Sequence, residues 1–360
     1  MVGLGFYLTE GVRIFFTSWY RRFFKKKYEG NAEEICQKVV EDCWNGRYFQ
    51  TSSGNFSQFW TRDFGWCASS LIKLKYNKEV HQTIRFALNR FKQYNKITTT
   101  ITPKGRAYDF PVFAVDSLPW LIHTIKISKF SYHSYKNFLN KEIRKFYKKV
   151  IDEHTGLVTP KVTFSSMKDF SVRKSSCYDN CMLAMLANDL KEMKLENPFK
   201  KFDYPSLIKR HFWNGKYFYD DLSRKEYVAG DANLFPFILG IISDKEMMRS
   251  ALQQIAKAGL DEPLPLKYTQ SRDQVKFIPE ELLMYNYESD SVWTHMGPLF
   301  VKLVQQIDKQ KASEYKEVYT EMIEKHKNYL EVFFANGKPF SSPFFYCDSG
   351  MLWAANYLTL

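Results

Sequence analysis

The sequence lacks the cysteine spacings that hold metals or form disulfide frameworks. Its 360 residues include six cysteines, none of them in a Cys-x-x-Cys pair, and a chain of this length can build a sizeable core without disulfides. Cys177 and Cys181 are four residues apart, which would place them on one face of a helix, but no further ligands accompany them. We therefore predict reduced thiols, a cytoplasmic location and no metal site.

The sequence also lacks a nucleic-acid-binding motif that would account for its positive charge. It has 52 Lys and Arg residues against 39 Asp and Glu, a formal net charge of +13, and nucleic acid is the first partner that such a charge brings to mind. The cations are spread along the chain, however, without zinc-finger spacing, a recognition-helix pattern or a glycine-rich phosphate loop. We interpret the charge as an aid to solubility and predict no nucleic-acid partner.

The N-terminal segment, residues 1–28, lacks the length and the uniform apolar character of a membrane-spanning helix, because Glu10 and Arg13 interrupt it. No small-residue cleavage site follows it. It ends in a basic cluster formed by Arg21, Arg22, Lys25, Lys26 and Lys27. Two interpretations stay open. The segment is either a helix packed on the body of the protein, which we favour, or a basic amphipathic element in weak contact with an anionic membrane surface.

Flexible linkers and clear strand patterns are scarce in the rest of the chain. No stretch rich in Pro, Gly or Ser divides it, so we predict one domain over residues 29–360. Apolar residues recur at i, i+3 and i+4, which predicts about a dozen helices. These run from Ala32 to Trp44, Phe64 to Lys75, Glu79 to Tyr94, Asp116 to Ile127, Tyr132 to Ile151, Tyr178 to Met193, Tyr204 to Phe212, Ala232 to Ile242, Asp244 to Ala258, Ser291 to Ile307, Ser313 to Phe333 and Gly350 to Leu358.

A short turn motif recurs between these helices. Trp-Asn-Gly-Arg-Tyr-Phe at residues 44–49 returns as Trp-Asn-Gly-Lys-Tyr-Phe at residues 213–218, with a weaker version at residues 335–340. Asn-Gly favours tight hairpins with positive φ. Helices that end in small hairpins indicate helical pairs arranged in a ring. A helical solenoid is the alternative, but it should show a sharper repeat of fixed length.

Four segments place an acidic residue beside a Trp or Tyr where a predicted helix begins. They centre on Asp63, Asp116, Asp179 and Asp290. Any one of them alone is most simply an N-cap or a first-turn acid, because helix N-termini stabilise carboxylates. Four in succession favour a site instead. In a barrel of helical hairpins, alternate helix N-termini meet at one end, so these side chains would converge on a shared cavity.

Three parts of the chain resemble known glycosidases. Residues 59–64, Phe-Trp-Thr-Arg-Asp-Phe, resemble the aromatic-x-Arg-Asp-Phe segment of alkaline/neutral invertases. Residues 115–120, Val-Asp-Ser-Leu-Pro-Trp, are similar to a segment of those invertases and of the amylo-1,6-glucosidase part of glycogen-debranching enzymes. Residues 330–355 resemble the closing segment of glucoamylases and debranching enzymes, where a Glu, a short turn and a Trp-bearing helix follow in that order. The resemblance implies an all-α (α/α)₆ barrel, a toroid of about twelve helices with short hairpin-bearing loops.

The same resemblance implies an inverting glycoside hydrolase that cleaves an α-glucoside or a related short oligosaccharide. It makes Glu331 the general base; without it, Glu331 would be a solvated residue near the end of a charged helix. The general acid has two candidates: Asp179 by comparison with glucoamylases, trehalases and mannosyl-oligosaccharide glucosidases, and Asp116 by comparison with neutral invertases and debranching enzymes. The residues expected to bind the sugar are Trp60, Arg62, Asp63, Trp120, Asn180, Glu288, Trp293 and Trp353.

The physical chemistry of inversion needs such a pair. One carboxyl group must hold a proton and the other must be ionised, so their surroundings must push their pKa values apart. The two groups stand roughly 6.5–9.5 Å apart to admit a water molecule. No cofactor is implied, because an acid, a base and water suffice. Two alternatives stay open: a non-catalytic carbohydrate-binding barrel, and a sugar epimerase or lyase on the same fold, for which His295 beside Trp293 is the indication.

Overall fold

The computed structural model describes residues 4–24 and 26–360, which form mostly α-helices joined by loops. Met1–Gly3 and Lys25, parts of the predicted N-terminal segment and its basic cluster, lie outside the described residues. The helices are α1 (Leu4–Phe23), α2 (Ala32–Cys43), α3 (Thr61–Lys73), α4 (Asn77–Tyr94), α5 (Ser117–Ile127), α6 (Lys136–Val150), α7 (Cys177–Glu192), α8 (Tyr204–Phe212), α9 (Gly230–Ile238), α10 (Lys245–Lys257), α11 (Gly297–Val304), α12 (Lys309–His326) and α13 (Ala354–Tyr357).

Short 3₁₀ helices and two-residue strands complete the secondary structure of the described residues. The 3₁₀ helices span His133–Tyr135, Pro198–Lys201, Arg272–Gln274 and Pro279–Met284. The strands are β1 (Phe59–Trp60), β2 (Thr100–Ile101), β3 (Ala107–Tyr108), β4 (Ser171–Val172), β5 (Lys276–Phe277), β6 (Val292–Trp293) and β7 (Val332–Phe333). They pair antiparallel as β1-β2-β3, β4-β5 and β6-β7.

Six helices form a closed inner ring. Helix α3 packs on α5, α5 on α7, α7 on α9, α9 on α11 and α11 on α13, and α13 returns to α3. The alternate helices lie outside this ring: α4 packs on α3 and α5, α8 on α7, α10 on α9, α12 on α11, and α2 on both α13 and α12. A closed ring is not an open solenoid, so the predicted (α/α)₆ barrel is confirmed.

The burial of the helices follows their sequence patterns. Inner helix α7 is buried on nearly all sides, with 13 of its 16 residues buried. Outer helix α10 buries only the stripe Met247, Met248, Ala251 and Ile255, whose spacing places them on one face. A helix that is buried all round lies in the interior, whereas one with a single apolar stripe covers a core from outside. The alternation of the two kinds builds the double ring.

The recurring turn motif forms the hairpins that the sequence predicts. Trp44 pairs with Phe49 and Trp213 with Phe218 across antiparallel bridges. The glycine of each Asn-Gly step has positive φ, +84° at Gly46 and +98° at Gly215, a conformation that a residue with a Cβ rarely adopts. These hairpins end α2 and α8 and turn the chain towards the next inner helix.

Two predicted helices are wrong at one end. The helix predicted from Ser313 to Phe333 ends at His326, because Lys327 adopts a left-handed cap with φ +50°. The helix predicted from Ser291 to Ile307 begins only at Gly297. The residues left over form β6 and β7, whose pairing joins positions about 40 residues apart in the chain. A helical period cannot reveal such a contact, and this correction moves Glu331 from a helix into a buried loop.

Helix α1 lies outside the ring and packs on the body of the protein. The Arg13 Nη1 atom donates a hydrogen bond to the Asn55 carbonyl at 3.1 Å, and the Ser18 hydroxyl donates to the Tyr346 carbonyl at 3.0 Å. Within residues 4–24 and 26–360, no helix combines the length and the apolar character needed to cross a bilayer.

Candidate active site

A partly open cavity of about 120 Å³ lies among the loops that lead into the inner helices. Nine of its twenty lining residues are aromatic: Phe56, Trp60, Trp66, Phe110, Phe170, Tyr287, Trp293, Phe345 and Trp353. Its charged and titratable wall consists of Arg62, Asp63, Asp169, Glu288, His295 and Glu331. This lining, with a few polar groups set in an apolar surface, is that of a small-molecule site.

Strand β1 runs directly into α3 and so places Trp60, Arg62 and Asp63 on the cavity wall. The Arg62 guanidinium pairs with Asp169 at 2.7 Å. The Asp63 carboxylate instead accepts a hydrogen bond from the Trp353 indole N–H at 3.1 Å. Arg62 and Asp63 therefore do not form an ion pair with each other. Burial raises the pKa of Asp63 to about 7, although Arg62 acts in the opposite direction.

Glu331 lies immediately before β7, and the β6–β7 pairing brings it beside Trp293. It is 2% exposed and lines the cavity, so it is not the solvated helix residue that its sequence neighbours indicate. One carboxylate oxygen accepts a hydrogen bond from the Tyr287 hydroxyl, and the other accepts the backbone N–H of Asp348 at 2.9 Å. Burial, followed by the nearby Asp348, raises the pKa of Glu331 to about 8.

Asp348 connects Glu331 to the loop that contributes Phe56 to the cavity. Its carboxylate accepts the backbone N–H groups of Asn55 at 2.8 Å and of Phe56 at 3.1 Å, together with the Ser52 hydroxyl. Its own backbone N–H holds Glu331. One buried acid thus fixes both the proposed base and one aromatic wall of the cavity.

Glu288 holds the segment of residues 165–173 against the cavity. Its two oxygens accept the backbone N–H groups of Asp169 at 2.6 Å and of Phe170 at 2.8 Å. Burial, followed by the charge of Asp169, raises the pKa of Glu288 to about 8. Because both oxygens are occupied, we interpret Glu288 as a residue that shapes the cavity wall.

The two candidates for the general acid, Asp116 and Asp179, are buried but are not among the residues that line the cavity. Asp116 accepts a hydrogen bond from the Tyr178 hydroxyl at 3.2 Å, and burial raises its pKa to about 6. Asp179 lies in the first turn of α7, where the Ser176 side chain is the N-cap. Burial also raises the pKa of Asp179. Each carboxyl group has one oxygen, Oδ1, without a hydrogen-bond partner among the described residues.

The segment of residues 165–173 contacts both the cavity and Asp179. Met167, Asp169 and Phe170 line the cavity. Ser166 near the start of the segment and Arg173 at its end lie close to the carboxyl group of Asp179 and lower its pKa, against the larger effect of burial. The segment is therefore close both to the carboxyl group of Asp179 and to the cavity that Glu331 lines.

Two residues expected to bind the sugar, Trp120 and Asn180, make hydrogen bonds within the protein outside the cavity lining. The Trp120 indole N–H donates to the Tyr178 hydroxyl at 3.1 Å, behind α3. The Asn180 side chain accepts the backbone N–H of Val158 at 3.0 Å. Neither residue is part of the cavity lining, whereas Trp60, Arg62, Asp63, Glu288, Trp293 and Trp353 all are.

A buried cluster of four charges lies behind Asp179. The Lys168 ammonium and the Arg173 guanidinium each contact Asp231 at 2.9 Å, and both approach Asp220, at 3.4 and 3.5 Å. The two cations and two anions balance, which is the condition for keeping charges out of water. Neither Lys168 nor Arg173 lines the cavity, and through these two residues the cluster anchors the segment of residues 165–173.

The variant Asp231→Asn is expected to lower the free energy of unfolding by about 3–5 kcal/mol, because it leaves Lys168 and Arg173 buried with one carboxylate between them. Urea denaturation followed by circular dichroism measures this change. The exposed Asp273 provides the matched control. Asp273→Asn is expected to change the free energy of unfolding by less than about 0.5 kcal/mol. Equal effects of the two substitutions would contradict the anchoring role.

Four cavity-lining side chains carry a buried polar atom that has no hydrogen-bond partner among the described residues. The atoms are Trp60 Nε1, Arg62 Nη1, Trp66 Nε1 and His295 Nδ1. Buried polar groups are nearly always satisfied in proteins, so their grouping around one cavity is unusual. A ligand rich in hydroxyl groups would supply partners for them.

His295 is the residue on which the alternative of a sugar epimerase or lyase depends. It stacks on Trp66 with ring centroids 4.4 Å apart and lines the cavity. Burial, followed by the charge of Arg62, lowers its pKa well below the ordinary value. The imidazole is therefore neutral. We interpret it mainly as part of the aromatic wall.

The sequence interpretation missed Asp169, Tyr287 and Asp348. None of the three begins a helix, and helix starts were the signal that identified Asp63. Tyr287 directly precedes Glu288, so its neighbourhood was recognised although its own contact with Glu331 was not. Within residues 4–24 and 26–360, no group of three His, Cys, Asp or Glu side chains is arranged to hold a metal ion.

Comparisons with known proteins find no matching family model and no matching curated protein sequence. The structure, in contrast, resembles solved glycosidases. A rhamnosidase from Klebsiella oxytoca with rhamnose bound superposes with a TM-score of 0.61 at 8% identity, over 93% of this chain and 65% of that one. This chain thus spans less than two thirds of the rhamnosidase.

Two further structures match over nearly their whole length. A glycosidase variant in complex with glucose gives a TM-score of 0.64 at 10% identity, over 97% of this chain and 96% of that chain. The mannosylglycerate hydrolase from Thermus thermophilus, in complex with Tris and D-glycerate, gives 0.61 at 9% identity, over 91% and 100%. At such identities the likeness establishes the fold: this chain has the (α/α)₆ barrel found in these glycosidases.

Proposed function

We propose that this protein is an inverting glycoside hydrolase that cleaves an α-glucoside or a related short oligosaccharide. One observation carries the proposal: a buried carboxylate, Glu331, lines an aromatic cavity together with Arg62 and Asp63. The aromatic faces suit the apolar faces of a sugar ring, and the unpartnered indole and guanidinium N–H groups suit its hydroxyls. The glycosidases that share the barrel support the same class of reaction.

In the proposed reaction, ionised Glu331 takes a proton from a water molecule. The water oxygen attacks the anomeric carbon from the side opposite the leaving group, while the bond to the glycosidic oxygen breaks. The general acid gives its proton to that oxygen, so the reaction consumes one water and inverts the anomeric centre. Tyr287 and the Asp348 backbone N–H hold the base in place. Arg62 and Asp63 bind hydroxyls of the sugar that is released.

We propose Asp179 as the general acid and keep Asp116 as the alternative. Burial favours the protonated form of Asp179, which an acid needs at neutral pH. Its unpartnered oxygen is free to carry that proton. Asp179 is not part of the cavity lining, so the reaction also requires its carboxyl group to gain access to the bound sugar, and we propose that a movement of residues 165–173 provides it. Loop motions of this kind accompany substrate binding in many enzymes.

A second function is favoured by one specific observation. Neither Asp179 nor Asp116 is part of the cavity lining, so a barrel that binds a saccharide without cleaving it fits the observed conformation. Such a protein would retain the aromatic wall and the Arg62–Asp169 pair but would not need an acid within reach of the ligand.

Hydrolysis and simple binding are distinguished by one experiment. The protein is incubated with a panel of α-linked glucose disaccharides and aryl α-glucosides, and the first sugar released is observed by proton NMR before it mutarotates. The expected result is release of β-glucose, the inverted anomer. Release of the α-anomer would contradict inversion. Calorimetric binding of a sugar that stays intact on prolonged incubation would favour the second function.

A further inference from the structure

Helix α1 has two faces of opposite character. The inner face packs on the barrel, where Arg13 and Ser18 hydrogen-bond to the backbone of Asn55 and Tyr346. The outer face is an exposed stripe at helical spacing, and each member is more than half exposed. We call it the aromatic stripe; it consists of Val12, Phe16, Trp19, Tyr20 and Phe23, and Phe24 extends it just beyond the helix.

The aromatic stripe is too apolar to be an ordinary solvated surface. Phe16, Trp19 and Phe23 are 63%, 57% and 63% exposed, and they lie three to four residues apart, so their rings follow one another along the helix. Isolated exposed aromatic residues are common in soluble proteins, but contiguous ones mark a contact surface.

The charges beside the stripe indicate what covers it. Arg22 and Lys27 are exposed at its C-terminal end, and Lys27 lies next to Tyr20 and Phe23. Lys26 beside them is also exposed and pairs with Asp42. Glu10, the acidic residue of α1, is on the inner face, where it accepts a hydrogen bond from the Gln58 side chain. Aromatic rings flanked by cations match the interface of an anionic bilayer, where rings lie at the headgroup level and cations contact lipid phosphates.

We propose that α1 docks along its length on an anionic membrane surface through the aromatic stripe and these cations. A protein partner would need a complementary acidic and apolar groove, whereas an anionic bilayer offers both properties over any area. Each cation near such a surface contributes about 1 kcal/mol. Several cations together with four or five inserted rings suffice for reversible binding.

The position of α1 links this docking to the cavity. Ile14 on α1 lines the cavity, and so do Thr51 and Phe56 from the loop to which Arg13 is bonded. Docking would therefore hold the cavity close to the lipid surface. This step rests on the proposed function. It names the substrate class as a saccharide presented at a membrane, such as the sugar of a glycolipid.

The test is co-sedimentation of the full chain with vesicles of phosphatidylcholine alone or mixed with phosphatidylserine. We expect binding to the mixed vesicles, at least tenfold weaker binding to phosphatidylcholine alone, and release by salt because the charges become screened. The double variant Trp19→Ala with Phe23→Ala is expected to bind the mixed vesicles at least tenfold more weakly. Its control is Tyr94→Ala with Leu282→Ala, two residues that are equally part of the exposed surface but lie elsewhere.

A second pair of variants distinguishes the effect of the positive charge beside the aromatic stripe from the effect of the protein's net charge on vesicle binding. Arg22→Glu with Lys27→Glu is expected to abolish binding, whereas Lys104→Glu with Lys209→Glu, which changes the net charge equally at exposed sites elsewhere, is expected to preserve it. Equal losses would overturn the proposal. It would also be overturned if the wild-type chain did not bind anionic vesicles. The same holds if the chain bound no vesicles but formed a dimer, and if the Trp19 and Phe23 substitutions dissociated that dimer.

The membrane proposal and the hydrolase proposal fail in different ways. Vesicle binding is measured without any sugar, so it does not depend on catalysis. If the hydrolase proposal holds, the Trp19 and Phe23 variant should cleave a soluble aryl glucoside as fast as the wild type and lose rate only on a glycolipid in vesicles. Equal loss on both substrates would contradict the substrate class.

Discussion

Replacing Glu331 by Gln is expected to lower kcat/KM by about 10²–10⁴-fold, the contribution of a positioned general base. The amide keeps the size of the side chain. Its oxygen can still accept the Asp348 backbone N–H, and its NH2 group can donate to the Tyr287 hydroxyl oxygen, so the fold should survive. What it loses is the ability to take a proton from water. Initial rates on the best substrate of the disaccharide panel measure this effect, and thermal unfolding checks that the variant is folded.

The pH dependence of the wild type tests the same role. The pKa of Glu331 is raised to about 8, mainly by burial. The base works only when ionised, so below pH 8 the ionised fraction falls about tenfold for each unit of pH. The limb of the kcat/KM profile that reports the base should therefore rise up to about pH 8. A limb that is already level at pH 5 would contradict Glu331 as the base.

The matched control for Glu331 is Glu321, an exposed glutamate on α12 only ten residues earlier in the chain. Glu321→Gln makes the same chemical change outside the cavity and is expected to leave kcat/KM unchanged. If both variants kept full activity, Glu331 would be a structural residue and the hydrolase proposal would lose its base.

The overall fold was largely predictable because it depends on local patterns. The run of apolar residues in α7 and the single stripe of α10 appear directly in the sequence, and so do the Asn-Gly hairpins after α2 and α8. The end of α12 was not predictable in the same way. The apolar residues after His326 continue a helical pattern, and only the left-handed Lys327 and the distant pairing with β6 turn them into a strand.

In the candidate site, too, the residues that a local pattern marks were predictable, and those that depend on distant contacts were not. Trp60, Arg62 and Asp63 were identified because a helix start beside an aromatic cluster is visible in one segment. Asp348 was not, because its importance comes from hydrogen bonds to Asn55 and Phe56, almost 300 residues earlier. The position of Asp179 outside the cavity lining was not predictable either, because no local pattern shows how distant segments pack around the cavity.

Replacing the general acid should slow only the substrates whose leaving group needs a proton, whereas replacing a structural residue should slow all substrates. Asp179→Asn is expected to lower kcat/KM for a disaccharide or an alkyl glucoside by about 10²–10⁴-fold. It should change the rate on α-glucosyl fluoride by less than tenfold, because fluoride leaves without needing a proton. The asparagine is similar in size, and the carboxyl group that it replaces has an unpartnered oxygen, so the thermal midpoint should change little.

Two matched variants decide between the candidates for the acid. Asp203→Asn, at the exposed N-cap of α8, should affect neither substrate. Asp116→Asn should reduce both rates together, because Asp116 lies beside Arg62, 3.7 Å from its guanidinium, and helps to position it. If Asp116→Asn instead spared the fluoride while Asp179→Asn impaired both substrates, the proton would come from Asp116. The rate on the fluoride thus tests the donor itself, since a disturbed Arg62 would impair both substrates whereas a missing proton would impair only the poor leaving group.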